Sequence, residues 1–463
     1  MSSGLAARNG GRAGLAALAA ILLLGLGLRI DYAWQGRPPV FDAVAYARIA
    51  ANLEQGNGFT AGHRATQPSS NYSPGLPLIA AGIYELSGGL HERLARVVLA
   101  LIGALSVAFS YLIGRRLCGP AAGLIGALAV AIYPALLEYQ GMLMTEPLAA
   151  ALLSGAVLAM LWAEAPGRSG ARARSPRWLV PGLVLGALTL VRPEYLAVSL
   201  LLALVAAAGK WRNWRSGAMR AGILLLGVAI VVTPWTLRNA AALGRFVPIS
   251  TGGGQVLFSG TYLPSGGDPQ RVGQALLENQ PGLVRHLAAE YLPPAAEGKP
   301  LAAQREIVLA RVRLEQILAA FAAQRHPGVE SDKALSQMGR EQLWSDVSER
   351  PLEYIGFLAA KVGDMWSHGP REVMRRPVWE ALHWALVFFG LIGLILLSRR
   401  GRWEALLLGT IFLSITAISA LLVASPRRVL VMIPLVAALA GIGAVWACSQ
   451  VRLTPLRRRP SPG

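Results

Sequence analysis

Long apolar runs separated by short polar stretches set the pattern of the chain. The first run, 13–30, follows Arg8 and Arg12 and is long enough to cross a bilayer as a helix of roughly 20 residues. No small-residue cleavage site precedes Asp31, so the run reads as a retained signal-anchor. Comparable runs at 94–113, 121–137, 143–162, 221–237, 379–397, 405–423 and 429–447 predict further spans. Two shorter runs, 178–190 and 195–208, meet at V-R-P-E. The stretch 74–86 carries Pro74, Gly75, Pro77 and Gly82 and as a helix reaches only about 20 Å, so it reads as re-entrant or interfacial.

Two polar regions stand out. In the first loop, 31–73, residues 42–55 predict a helix lying on the membrane, with Asp42 at its start and Gly56 and Gly58 as its stop. The second, 240–378, is too long for a connector. It opens with GRFVPISTGGGQVLFSG, whose glycines predict a strand or extended loop, and continues with amphipathic helical patches at 306–323 and 333–366. The chain therefore divides into an N-terminal transmembrane module (1–238), an external loop or lid region (239–378), and C-terminal spans with a basic tail (379–463). The fold class is all-α and polytopic, with about 10–11 transmembrane segments plus an extracytoplasmic loop domain.

Composition agrees. Charged residues make up 15% of the 463 residues and hydrophobic ones 54%, whereas soluble domains are about 25% charged. The net charge of +19 would suggest nucleic acid in a soluble protein. Here the cations concentrate in GRSGARARSPR, KWRNWRSGAMR, SRRGR and RLTPLRRRP, the positive-inside pattern of cytoplasmic loops. No aromatic-interleaved basic groove is present, which argues against nucleic acid as a partner. Cys118 and Cys448 fall at predicted cytoplasmic span ends, which argues against a disulfide or thiolate metal site. His63 and His91 are isolated, and no HExxH, Walker loop or GxGxxG after a strand occurs. No cofactor is required by the sequence, and a divalent cation remains open.

This topology places Asp42, Glu146, Arg192 and Arg238 toward one outer face, with the pair Arg427 and Arg428 in an outward turn that defies the charge trend. Asp42 is either the cap of an interfacial helix or a base for an attacking hydroxyl, since an aspartate with an ordinary pKa of about 4 is ionised at neutral pH. Tyr46, one turn on, shares its face. Glu146 opens a span, where an acid is favourable on dipole grounds alone. Guanidinium groups suit phosphate oxygens, because they donate bidentately and stay charged; snorkelling to headgroups is the alternative.

Several stretches resemble the GT-C membrane glycosyltransferases. The likeness is closest to the bacterial branch that resembles protein O-mannosyltransferases and the lipid A aminoarabinose transferase. They are Arg29 closing the first span, D-x3-Y-x2-I-A-x-N-L-x2-G-x-G-F at 42–59, S-P-G-L-P-L at 73–78, and P-x11-E-P-L at 134–148. They continue with L-x-R-P-E at 190–194, P-W-T-L-R-N-x4-G-R-F-V-P-I-S-T-G-G-G at 234–254, and R-x5-P at 428–434. The sequence departs from that pattern at Gly75-Leu76-Pro77, where paired prolines are usual, and at Arg428, where a tyrosine is. The resemblance implies an inverting transfer of a sugar from a polyprenyl-phosphate donor to a hydroxyl acceptor on the extracytoplasmic face of the plasma (inner) membrane. It makes Asp42 the base and gives Glu146, with Tyr46, an acceptor- or site-organising role. Arg192, Arg238, Arg427 and Arg428 become phosphate ligands, with Arg29, Tyr72 and Asn239 as further pocket candidates. The alternative reading is a transporter or flippase of a lipid-linked substrate.

Overall fold

The computed structural model describes residues 2–39, 42–61, 67–165, 175–208, 213–294, 298–399 and 403–453. His63 and much of the four basic stretches lie outside the described residues. The chain forms α1 (Ser2–Gln35), α2 (Asp42–Glu54), α3 (Gly75–Ser87), α4 (Glu92–Cys118), α5 (Pro120–Ile132), α6 (Pro134–Gln140) and α7 (Thr145–Glu164). Then come α8 (Leu179–Val191), α9 (Tyr195–Ala208), α10 (Trp214–Leu243), α11 (Gly253–Thr261), α12 (Pro269–Asn279) and α13 (Pro281–Tyr291). The remainder are α14 (Leu301–Arg311), α15 (Leu314–Arg325), α16 (Ser331–Glu349), α17 (Pro351–Ser367), α18 (Pro377–Arg399), α19 (Trp403–Leu421) and α20 (Pro426–Leu453). No strand occurs among the described residues.

Among the described residues, seven helices are long and apolar enough to cross a membrane: α1, α4, α7, α10, α18, α19 and α20. The pair α5–α6, bent by 49° at its break, makes an eighth when taken as one broken span. The helices α3, α8 and α9 are apolar as well but shorter than a span, so the described residues give seven crossings, or eight with the bent pair, against the 10–11 expected. The apolar window of α20 is 83% buried and that of α1 only 11%, so the last helix is the centre of the bundle and the first faces outward.

Local chemistry explains the bend. Pro134 has no N–H to give Val130, and the residue before it, Tyr133, takes the extended conformation that proline imposes (ψ 111°). Arg29 supplies the missing donors, to the Val130 carbonyl at 2.9 Å and the Ala131 carbonyl at 3.3 Å. A fully buried guanidinium thus satisfies the carbonyls that the break orphans. Elsewhere the helices approach through small residues: a Cβ on Gly182 of α8 would meet the Leu224 carbonyl of α10, the close packing typical of membrane bundles.

The helices from α11 to α16 bury an apolar core of their own, with Phe258, Leu276, Leu287, Val308, Ile317 and Phe321 at its centre. The glycine-rich opening of this region corrects the strand or extended-loop expectation in part. Residues 245–252 are irregular, but Gly253 begins α11. Gly252, with φ +94°, turns the chain, and Asp332 accepts hydrogen bonds from the Gly254 and Gln255 N–H groups at 2.9 and 3.3 Å. A distant carboxylate capping the first turn stabilises a helix that local propensity disfavours. Cys118 and Cys448 are free and exposed.

Candidate active site

Two cations stand in the first turn of α20, Arg427 and Arg428, after Pro426 has fixed the helix start. The positive end of a helix repels them, so carboxylates must come from elsewhere. Glu146 provides one from the first turn of α7. It has no exposed surface, accepts from Arg427 Nε at 2.7 Å, and lies 3.5 Å from Arg192. Asp42, the first residue of α2, provides another: its Oδ2 is 3.1 Å from a terminal nitrogen of Arg427. Arg427 therefore bridges the two acids that the sequence separates by a hundred residues, and they share one side of the bundle.

Arg192 ends α8 in an extended conformation (ψ 106°) set by the following Pro193. Its Nε donates to Glu194 at 3.0 Å and a terminal nitrogen to Thr145 Oγ1 at 3.4 Å. Three carboxylates and three guanidiniums thus meet at the starts of α2, α7 and α20 and in the α8–α9 turn. Their commitments differ. Arg427 holds two acids, whereas Arg428 has no carboxylate within 4.0 Å among the described residues and makes a long 3.5 Å contact to Ser419 Oγ. Among the described residues nothing donates a hydrogen bond to Glu146 Oε2. The Asp42 side chain is 40% exposed, so it can meet a molecule arriving from outside.

Tyr46 is buried one turn after Asp42, and its ring meets that of Tyr72 edge-on at 5.7 Å. Burial, reinforced by the Asp42 charge, pushes its hydroxyl above the normal range, so it stays protonated. The Tyr72 hydroxyl donates to Glu315 on α15 at 3.0 Å, and it too is shifted upward, by burial and by Glu315. Tyr46 and Tyr72 therefore connect the charge cluster to α15.

Three further candidates lie apart from the acids. Arg238 rests over Trp235 and Phe59 at 4.9 and 5.5 Å and donates to the Ser69 and Phe59 carbonyls. Asn239 donates to the Val247 and Ile249 carbonyls. Both hold the first loop and the chain leaving α10. Arg29 plugs the α5–α6 break. Conversely, Glu194, Thr145 and Tyr139 join the cluster without having been singled out. The Tyr139 ring lies 6.0 Å from the Arg427 guanidinium, within cation–π range. Glu194 was signalled by its place in the R-P-E turn; nothing local distinguishes Tyr139. Among the described residues no three of His, Cys, Asp and Glu gather to hold a metal ion.

Comparison with known proteins follows the same lines. A family model described as dolichyl-phosphate-mannose-protein mannosyltransferase matches residues 69–237, a segment that includes Glu146 and Arg192 and stops short of Arg427. No curated protein sequence matches the chain. The apo oligosaccharyltransferase of Archaeoglobus fulgidus superposes with a TM-score of 0.54 at 16% identity, over 95% of this chain and 51% of that one. The AglB oligosaccharyltransferase of the same organism, solved with an inhibitory peptide and a dolichol-phosphate, gives 0.53 at 15%, over 95% and 51%. ArnT from Cupriavidus metallidurans with undecaprenyl phosphate reaches only 0.40 at 17%, over 93% and 78%, too loose to carry weight. The chain spans about half the length of the oligosaccharyltransferases it matches. The resemblance to the GT-C enzymes is borne out at the level of fold: this is an all-α, multi-pass membrane protein of GT-C architecture.

Proposed function

We propose that a protein of this fold with this charge cluster is an inverting glycosyltransferase. It moves a sugar from a polyprenyl-phosphate donor to a hydroxyl acceptor on the extracytoplasmic face of the cell membrane. The observation that carries the reading is Arg427 bridging Asp42 and Glu146 beside the less committed Arg428. Asp42 accepts the acceptor's hydroxyl proton; the oxygen attacks the anomeric carbon; and the bond from that carbon to the phosphate oxygen breaks, its electron pair leaving with the polyprenyl phosphate. Attack opposite the leaving group inverts the configuration.

Each charged group then has a task. The phosphate gains negative charge as the bond breaks, and preorganised cations stabilise that change most where water is excluded. Arg428 and Arg192 are the cations for it, while Glu146 keeps Arg427 in place and Arg427 keeps the Asp42 carboxylate aimed. The charges gather at helix ends on one side rather than along several spans, which suits a surface-facing reaction better than a transport path. A lipid-borne donor also accounts for the lack of a nucleotide-binding loop.

The test is incubation of the purified protein with polyprenyl-phosphate sugars and candidate acceptors, following polyprenyl phosphate release and the anomeric configuration of the product by NMR. Release with inversion is expected. Retention of configuration, or no release from any donor, would rule the reading out.

A further inference from the structure

Outside the charge cluster, helices α11, α13, α15 and α16 border an open cleft of about 550 Å³, a size within the roughly 300–1,000 Å³ of small-molecule sites. Its apolar floor is Phe258 and Tyr262 of α11 and its end, stacked at 5.4 Å and 26°, with Phe321 of α15 tilted against Phe258 at 5.7 Å. Its polar rim is Gln280, at the start of α13, together with Gln342 and Ser345 of α16. The last two are three residues apart and so share a helix face. Among the described residues the amide groups of Gln280 and Gln342 have no side-chain hydrogen-bond partner, and Arg325, His326 and Glu341 also line the rim, so groups of both signs face the cleft.

This combination selects its ligand. A purely apolar molecule would leave the rim amides unpaired on burial. An anion would meet Glu341 as well as Arg325. A neutral ring with hydroxyl groups at its edge and C–H groups on its face satisfies both surfaces, since each amide offers a donor and an acceptor and the aromatic faces cover apolar area. We propose that the cavity binds a neutral saccharide, the glycan part of the acceptor; this rests on the glycosyl-transfer reading above.

The cavity is placed for that role. Gly260 of α11 packs directly on the Leu422 backbone, and Lys361 ties the two together by donating to both carbonyls at 2.7 Å. Phe258 and Tyr262, two residues to either side, project from the opposite face of α11. A single helix, about 10 Å across, therefore separates the cavity from the turn that leads into Arg427.

The experiment displays the full-length protein, in lipid nanodiscs, on arrays of neutral saccharides, anionic saccharides and peptides. Wild type is expected to be retained on a subset of neutral saccharides and displaced by the same saccharide in solution. Gln342→Ala, a partly exposed helical position where alanine is well tolerated, should weaken retention at least tenfold with an unchanged melting temperature. No saccharide retention, retention unaltered in Gln342→Ala, or retention on anionic spots or peptides alone would overturn the proposal. Polyprenyl phosphate release by wild type in the same preparation separates the two claims. Release without saccharide retention removes the cavity and keeps the chemistry; retention without release overturns the acceptor role.

Discussion

Replacing Glu146 with glutamine keeps the size of the side chain and removes its charge. The carboxylate is entirely buried, 2.7 Å from Arg427 and 3.5 Å from Arg192. Without it Arg427 and Arg192 lose the fully buried carboxylate they share, and the carboxylates that still face them are the partly exposed Asp42 at 3.1 Å from Arg427 and Glu194 at 3.0 Å from Arg192. Removing one partner of a buried ion pair costs about 3–5 kcal/mol, because the other charge is left without compensation. At about 2 °C per kcal/mol, the lower end for larger domains, Glu146→Gln should lower the apparent melting temperature by about 6–10 °C. Asp42→Asn supplies the contrast. Its pair with Arg427 has a side chain 40% exposed and, screened by solvent, is worth about 0–1 kcal/mol, so melting should move by no more than about 2 °C. Thermal denaturation of both variants in one detergent, followed by the loss of monodisperse protein, measures the difference. A Glu146→Gln protein that melts with wild type, or an Asp42→Asn protein that loses as much, would refute the assignment of stability to Glu146 and of availability to Asp42.

Other outcomes follow from the same geometry. Arg428→Ala should raise the KM for the polyprenyl-phosphate donor at least tenfold while leaving melting nearly unchanged; an unaltered KM would assign Arg428 to packing alone. Tyr72→Phe deletes the hydrogen bond to Glu315, worth about 1 kcal/mol, so limited proteolysis of the external helices should speed up about fivefold with the cluster intact. Lys361 is held by two helix-end carbonyls, and burial, with Arg428 nearby, lowers its pKa to about 8. A base whose pKa falls from 10.5 to about 8 on folding binds fewer protons folded than unfolded between those values, so its contribution to stability rises with pH across that window. Melting measured from pH 7.5 to 10 should therefore show a smaller upward trend in Lys361→Met than in wild type; parallel curves would contradict the assignment.

The sequence revealed the outline of the site better than its membership. Asp42, Glu146, Arg192 and Arg427 all sit at a helix end beside an apolar run, and chain topology alone put them on one face. The same signal, a guanidinium after an apolar run, also pointed to Arg29 and Arg238, which donate to carbonyls. Local sequence cannot tell whether a guanidinium will find a carboxylate or a broken helix. The 49° break at Pro134 creates the demand that Arg29 meets, and only the packed bundle brings them together. The helix at 253–261 escaped notice because its cap, Asp332, lies far along the chain. Tyr139 was hidden for a like reason, as its neighbour Arg427 comes from the last helix.

The central claim is that Asp42 takes the proton of the attacking hydroxyl within the cluster organised by Arg427. Its most direct test is kcat for glycosyl transfer by Asp42→Asn alongside donor affinity in the same variant. Loss of a general base predicts a fall in kcat of about 10²–10⁴-fold, with donor binding and melting close to wild type. Turnover at the wild-type rate by Asp42→Asn would contradict it.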